Sequence, residues 1–249
     1  MTSAVAWLDR RLYPQTQRNW DDLMFRERVL ARLRPDDAVL DVGAGAGIVA
    51  HMNFRHRVRC VCGVDLDPRV VDNPYLDVAA IGSAAALPFA DATFDVVFCD
   101  NVLEHLPDPL RVFREIHRVL KPGGVFLAKT PNKWHYMPLI ARMTPLWFHR
   151  LVNRARGRHS EDTFPTHYRA NSRLALATLA RGSGLQLERV ELIEGRPEYL
   201  RLAWPLYLAG WLYERIVNAS DRLATLRVLL IAELRRTTPA APASAQSGT

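Results

Sequence analysis

The stretch VLDVGAGAGI at residues 39–48 places three glycines at alternate positions directly after an apolar run. Glycine accepts positive φ angles and lets the backbone approach a ligand closely, so such a loop after a strand is typical of a small-molecule site. A dinucleotide fingerprint requires G-x-G-x-x-G. Here the third glycine, Gly47, comes one residue early, and Ile48 stands where the fingerprint needs glycine. The loop therefore predicts a ligand site and leaves the ligand open.

Strand-like apolar runs alternate with amphipathic, helix-like segments along most of the chain. The strands are predicted at residues 38–42, 58–64, 78–81, 94–99, 124–129, 185–193 and 227–234. Helices are predicted at residues 18–34, 109–120 and 171–181, and the run Lys121 to Gly124 (KPGG) predicts a sharp turn before the fifth strand. This alternation indicates a Rossmann-like α/β fold, with a mostly parallel sheet and helices on both faces.

The chain divides into three parts by composition. Residues 1–35 are predicted to form an N-terminal helical segment. Residues 36–236 form one domain, with a basic insertion at 131–169 and an aromatic helical insertion at 198–220, which together are expected to cap the sheet. Residues 237–249 are small residues and prolines with little to bury, so we expect this tail to be disordered.

The net positive charge of the chain is concentrated in one segment. Residues 129–160 hold seven Lys and Arg and no Asp or Glu, whereas the rest of the chain balances 26 basic residues against 26 acidic ones. This segment is either a solvated basic loop or a lid that recruits an anionic or membrane-bound acceptor. It lacks the alternation of lysine and aromatic residues of a nucleic-acid-binding module, so we expect no nucleic acid partner.

The three cysteines, Cys60, Cys62 and Cys99, lie inside apolar runs and resemble small buried hydrophobic residues of a reduced compartment. Their spacing is a poor zinc pattern. The first thirty residues do not resemble a signal peptide. We therefore expect a cytoplasmic location, with peripheral contact at the inner membrane face if the basic segment binds lipid.

Further motifs follow the glycine loop in order. Asp65 comes twenty residues after Gly45, at the end of the second strand, where a carboxylate can accept both hydroxyls of a ribose. That feature suits NAD as well as other nucleosides. The chain then shows L-P-F at residues 87–89, F-D-V-V at 94–97, L-E-H at 103–105 and L-K-P-G-G at 120–124.

With these five motifs, from residue 39 to about 132, the chain resembles the class I S-adenosylmethionine (SAM)-dependent methyltransferases, in the methyltransferase-11-like group. The resemblance implies a seven-stranded sheet whose last strand is antiparallel, and SAM as the cofactor. It also implies a role for each matched residue. The methionine part would lie on Asp41, Gly43, Gly45 and Gly47, the ribose on Asp65, the adenine on Leu66, Ser83 and Ala84, and the sulfonium above Asn101 and Val102. The family commonly has Asp where this chain has Ser83, which weakens the expected adenine contact.

The candidate catalytic residues are His135 and Tyr136, in the loop TPNKWHY at residues 130–136. This loop follows the fifth strand, and ligands of parallel sheets lie outside the carboxyl ends of the strands. His135 is the candidate base, although a lone histidine in a loop is often only solvated. A base is needed only when the acceptor atom is protonated at neutral pH.

Glu104 and His105 allow two interpretations. Quinone O-methyltransferases of the family show E-x-x-E-H and can bind a divalent ion there. In this chain Asn101 replaces the first carboxylate, so we assign no metal and favour a packing role.

The uncharged run at residues 202–213, LAWPLYLAGWLY, fits either a membrane interface or burial in the core equally well. Together these patterns predict a SAM-dependent methyltransferase that acts on a small-molecule, lipid- or glycan-linked acceptor, at oxygen. The alternatives are an NAD-dependent oxidoreductase, which Ile48 disfavours, and a nucleic-acid-binding protein that uses the basic segment.

Overall fold

The computed structural model describes residues 3–14, 16, 19–143 and 165–238. Seven strands form one sheet in the order β3-β2-β1-β4-β5-β7-β6, and β7 runs antiparallel to both of its neighbours. The strands are β1 (Ala38–Val42), β2 (Cys60–Asp65), β3 (Val78–Ile81), β4 (Phe94–Asp100), β5 (Leu120–Pro131), β6 (Leu185–Ile193) and β7 (Leu229–Arg236). The predicted seven-stranded, mostly parallel α/β sheet is confirmed.

Helices cover both faces of the sheet in the part of the chain that the structure describes. They are α1 (Ser3–Leu12), α2 (Trp20–Leu30), α3 (Pro109–Val119), α4 (Tyr136–Met143), α5 (Arg173–Ser183) and α6 (Trp204–Asn218). On one face, α3 and α5 pack through Phe113, Ile116 and Leu176. On the other face, α2 packs through Phe25 and Val29 together with short 3₁₀ helices.

The sheet differs from the predicted segments where the backbone is irregular. The strand β5 already begins at Leu120, which pairs with Phe94, and the register then shifts so that Val125 pairs with Val96. The KPGG run forms this bulge, and Gly123 takes a φ of +81° there. The predicted turn is therefore an irregularity within the strand. Likewise, α2 is shorter than the predicted helix 18–34.

The basic insertion lies mostly outside the described residues, including Arg150, Arg154, Arg156 and Arg158. The prediction that the basic segment contacts an anionic partner is wrong for one of its members, Lys129. The Lys129 side chain is fully buried, and its Nζ lies 2.5 Å from Asp22 Oδ1 and 2.9 Å from Asp100 Oδ1. This cation is neutralised inside the protein, because a buried charge needs a partner, and it cannot contact an anionic surface. The predicted disordered tail also falls outside the described residues from 239 onwards.

The aromatic insertion forms the helix α6, of which part is buried and part is exposed. Tyr207 is fully buried and donates a hydrogen bond to Asp9 Oδ1 of α1 at 2.6 Å. Trp204 and Leu212 of the same helix are each more than half exposed, which leaves the membrane-interface interpretation a prediction. Among the described residues, no helix combines the length and apolar character that crossing a membrane requires.

Candidate functional site

A cavity of about 840 Å³ opens at the carboxyl ends of the parallel strands. Its floor contains Gly43, Asp65 and Asn101, which follow or end β1, β2 and β4. The far wall contains His135, before α4, and Glu194, directly after β6. This is where the topology of an open α/β sheet places ligands, and the volume suits a ligand of cofactor size.

The three loop glycines all have positive φ angles, but they serve different purposes. A Cβ on Gly43 would overlap Val102 Cγ2, and a Cβ on Gly47 would overlap Asn73 Oδ1. Close packing therefore requires glycine at both positions. At Gly45 the nearest atom would be Asp65 Oδ2 at 3.9 Å, so that position is open. Of the three, only Gly43 borders the cavity directly.

Asp65 connects the loop to the cavity. Its Oδ2 accepts a hydrogen bond from Gly45 N at 2.8 Å, and its Oδ1 accepts one from Asp67 N at 2.9 Å. Each carboxylate oxygen can accept a second bond, so the two atoms remain able to receive two ligand hydroxyls. Leu66, the next residue, is 69% exposed beside the same cavity.

Ser83, Ala84, Asn101 and Val102 also border the cavity, as predicted for adenine and sulfonium contacts. Ser83 Oγ accepts a bond from Ala85 N at 3.2 Å, which leaves its hydroxyl hydrogen and one lone pair for a ligand. Asn101 has a φ of +54°, a strained conformation that is enriched at functional sites. The backbone N–H of Asn101 donates a hydrogen bond to the backbone oxygen of Lys129 at 2.9 Å.

The strand ends beneath the loop are acidic. Asp41 is buried behind the loop, and its pKa is raised well above the ordinary value by burial and by the charges of Asp100 and Asp65. Burial also raises the pKa of Asp100 to about 6, against the opposing effect of Lys129. The protonated form of Asp41 is thus favoured, whereas Asp100 ionises above about pH 6, and its carboxylate at the cavity favours a cationic ligand and opposes a phosphate.

The segment after the glycines also disfavours a phosphate ligand. It continues into a 3₁₀ helix of three residues, Ala50–Met52. A pyrophosphate is normally held at the N-terminus of an α-helix that follows the glycine loop. Here it would meet that short helix and the carboxylate of Asp100, whereas Asp65 could accept the ribose of either cofactor. These residues do not fit NAD, but they fit SAM, which carries a sulfonium, an ammonium and a ribose with two hydroxyls.

The two predicted catalytic residues both lie in the cavity wall. His135 is 1% exposed, and its ring lies 4.0 Å from the ring of Tyr136 between centroids. Its Nδ1 accepts a hydrogen bond from Met137 N at 3.3 Å. Its Nε2 has no hydrogen-bond partner and lies 3.6 Å from Glu194 Oε2. The histidine is therefore buried and held in place, contrary to the solvated alternative.

Glu194 was not predicted as a site residue from the sequence; its side chain is only 4% exposed. Its Oε2 accepts a hydrogen bond from Val228 N at 2.8 Å. Burial raises the pKa of Glu194 to about 8, whereas burial lowers the pKa of His135 to about 3. No motif surrounds Glu194, and its position after the sixth strand was the only available signal.

Glu104 has the packing role that we favoured. Its Oε2 accepts a hydrogen bond from Thr130 Oγ1 at 2.8 Å, and Asn171 Nδ2 donates to the same hydroxyl at 2.6 Å. The backbone oxygen of Glu104 accepts from His167 N at 2.7 Å. This network joins the ends of β4 and β5 to the segment before α5, and it occupies the carboxylate.

Comparison with known proteins finds methyltransferases. A model of the methyltransferase domain family matches residues 40–128. The ubiquinone biosynthesis O-methyltransferase of Xanthomonas axonopodis pv. citri is 34% identical over 174 residues, which are 66% of this chain and 69% of that protein. A protein of Mycolicibacterium smegmatis named as a probable SAM-dependent methyltransferase is 41% identical over 113 residues. That match covers 43% of this chain and only 42% of the relative, so the chain spans less than half of that protein.

Solved structures agree on the fold. A chain of the complex between a methyltransferase and its activator from Haloferax volcanii aligns with a TM-score of 0.56 at 20% identity, over 95% of this chain and 99% of that one. Geranyl diphosphate C-methyltransferase from Streptomyces coelicolor aligns with a TM-score of 0.56 at 17% identity, over 87% and 77% of the two chains. The fold, the motifs and the Xanthomonas relative together lead to one conclusion: the chain belongs to the class I SAM-dependent methyltransferases.

Proposed function

We propose that the chain transfers the methyl group of SAM to an oxygen of a small-molecule acceptor, either free or carried on a lipid or glycan. The observation that carries this proposal is the buried pair of His135 and Glu194, which faces the cofactor residues across one cavity. A hydroxyl must lose its proton during methyl transfer, and this pair offers a buried carboxylate at that position. The similarity to an O-methyltransferase also supports oxygen as the acceptor atom.

The proposed cofactor contacts follow from the cavity. Asp65 accepts the two ribose hydroxyls, and Asp41, which does not border the cavity, orients the ammonium group only through water. Leu66, Ser83 and Ala84 surround the adenine, and the Gly43 loop leaves room for the methionine chain. Asn101 and Val102 lie beneath the reactive methyl group.

When bound, SAM supplies an activated methyl group on a positively charged sulfur. The residues of this chain then contribute position more than chemical activation, and alignment of two reactants can lower a barrier by roughly 7–11 kcal/mol. Tyr136 and Tyr199 form part of the wall on the acceptor side, beside His135.

The charge of the cavity favours a neutral acceptor group. Its lining carries the carboxylates of Asp21, Asp22, Asp65, Asp100, Glu104, Asp108, Glu194 and Glu198. The cavity also contains Arg196, which is already paired with Asp9 and Glu198. An anionic reacting group would be repelled here, whereas a phenol or alcohol would not.

Peripheral membrane contact remains a prediction. It is supported by exposed apolar residues on the α6 side of the molecule, among them Trp204 and Leu212. The arginines that motivated it lie outside the described residues.

Two measurements test the proposed function. Isothermal titration calorimetry should show binding of SAM and none of NADH or a mixed-sequence oligonucleotide. Transfer of labelled methyl from SAM should then be screened against phenols, alcohols, anilines and thiols. Label in the hydroxyl compounds supports the proposal, whereas label only in the amines or thiols contradicts it.

A further inference from the structure

We propose that Glu194 is the general base of the methyl transfer and that His135 holds the acceptor oxygen as a hydrogen-bond donor. This inference rests on the proposed transfer to oxygen. It assigns to Glu194 the role of base that the sequence suggested for His135. It draws on the hydrogen bonds, the burial and the spacing of the two side chains.

The hydrogen bonds of His135 fix the position of its proton. Nδ1 accepts from Met137 N, so Nδ1 carries a lone pair and, in the neutral ring, the hydrogen lies on Nε2. Nε2 is buried and has no hydrogen-bond partner. The ring therefore carries an unused donor that is buried in the cavity wall. A nitrogen that carries a proton cannot accept another, so His135 cannot act as a base from this side.

Glu194 supplies the complementary acceptor. Its Oε2 lies 3.6 Å from His135 Nε2, too far for a direct hydrogen bond. One oxygen atom can nevertheless lie about 2.8 Å from both atoms at once. An acceptor hydroxyl at that point would receive the Nε2–H bond and donate its own hydrogen to Glu194.

The resulting step balances. The acceptor oxygen forms a bond to the methyl carbon, and the bond between that carbon and the sulfonium sulfur breaks with its electron pair going to sulfur. The hydroxyl proton passes to the carboxylate of Glu194, which later releases it to water. His135 stays neutral throughout. Tyr136, the other predicted catalytic residue, cannot compete as base because burial keeps its pKa far above neutrality.

The groups around Glu194 preserve its role as a proton acceptor in the physiological range. Nearby titratable and charged groups are His135 and Tyr136 at the start of α4, Tyr199 before α6, Glu214 and Tyr213 on α6, and Arg227 before β7. Burial and Glu214 raise the pKa of Glu194, whereas Arg227 and the backbone N–H of Val228 lower it. The base form should therefore fill as the pH rises through about 8.

A nuclear magnetic resonance titration of the full chain, without acceptor, tests the pair directly. Nitrogen-15-labelled histidine should show His135 with a protonated Nε2 and an unprotonated Nδ1 at every pH from 5 to 9. The Nε2 resonance should shift near pH 8, as Glu194 ionises. This step should vanish in Glu194→Gln, whose amide oxygen can keep the bond from Val228. It should persist in Glu198→Gln, a matched carboxylate of the same cavity that pairs with Arg196. A step that survives Glu194→Gln, or a His135 that protonates above pH 5, overturns the assignment.

Activity gives a second and separate readout. With catechol and phenol as probes, methyl transfer by the wild type should rise with pH through about 8. Glu194→Gln should lower kcat about 100-fold or more and abolish that rise, with SAM affinity unchanged in calorimetry. Hydroxyl methylation that survives in Glu194→Gln removes Glu194 as the base but leaves the proposed function intact. Methylation of aniline alone contradicts the proposed function. In that case the titration still decides whether the ionisation of Glu194 is sensed by His135.

Discussion

Replacing Asp65 with alanine should weaken SAM binding strongly and loosen the glycine loop slightly. The carboxylate is proposed to accept two ribose hydroxyls, and it already holds Gly45 N at 2.8 Å and Asp67 N at 2.9 Å. Hydrogen bonds to a charged group contribute about 1.5–3 kcal/mol, so losing the ribose contacts should cost about 2–3 kcal/mol of binding free energy. That corresponds to a dissociation constant roughly 30- to 150-fold higher. Loss of the two backbone bonds should lower the free energy of unfolding by about 1–3 kcal/mol.

Calorimetry with SAM and thermal unfolding without it separate these two effects. The matched control is Asp67→Ala, because Asp67 caps the neighbouring 3₁₀ helix through Arg69 N at 2.9 Å and does not border the cavity. Asp67→Ala should keep the affinity for SAM, whereas Asp65→Asn, which retains one acceptor oxygen, should fall between the wild type and Asp65→Ala. If folded Asp65→Ala binds SAM as tightly as the wild type, the proposed ribose contact is wrong.

Three further predictions follow from the cavity and its surroundings. Gly43→Ala should lower the unfolding temperature, because its Cβ would overlap the side chain of Val102. Gly45→Ala should lose only about 1 kcal/mol of stability, because its positive φ is the only obstacle. Equal losses of the two variants in thermal unfolding would contradict this difference. The pKa of buried His135 lies at about 3 in the folded state and near 6.5 when unfolded, so stability should fall as the pH drops below 6.5, by about 2 kcal/mol at pH 5. In urea unfolding, His135→Gln should not show this decrease of the free energy of unfolding at low pH. If the variant and the wild type had the same pH dependence, the lowered pKa of His135 would be refuted. In flotation assays at low salt, anionic vesicles should bind the wild type more strongly than a Trp204→Ala, Leu212→Ser double variant; equal binding would show that this face does not contact lipid.

Most of the sheet could be predicted because its strands are runs rich in apolar residues and separated by turn residues. The central strand β1 is buried at all five positions, and four of its five residues are apolar, so the strand is visible as an apolar run in the sequence. The bulge of β5 could not be predicted as such, because proline and glycines predict a break whether or not the flanking residues stay paired. The helix α1 was not separately predicted, since its position depends on Asp9 meeting Tyr207 on α6, a contact that local sequence does not show.

The site was predictable on the cofactor side and less so on the acceptor side, for a physical reason. Loop glycines and Asp65 lie within one β-loop-β unit, so their spacing in sequence reflects their spacing in the structure. His135 and Glu194 meet only because β7 inserts between β5 and β6, which brings the ends of those strands to the same edge. The pairing of Lys129 with Asp22 likewise joins β5 to a helix far away in sequence. Contacts of this kind depend on the topology and leave no local pattern.

The distribution of charge limits which acceptors the proposed function can accommodate. The chain carries a net charge of +7, and the excess is concentrated at residues 129–160. The cavity has the opposite character, because its carboxylates outnumber its cations and Lys129 is neutralised by Asp22 and Asp100. An anion at the reacting end would therefore be repelled, whereas we propose that the basic segment, whose arginines at 150–158 lie outside the described residues, attracts an anion farther along the same molecule. A neutral hydroxyl on a carrier with a remote negative charge satisfies both conditions. Within the proposed function, this favours a lipid- or glycan-linked acceptor over a small acid whose charge lies beside the reacting oxygen.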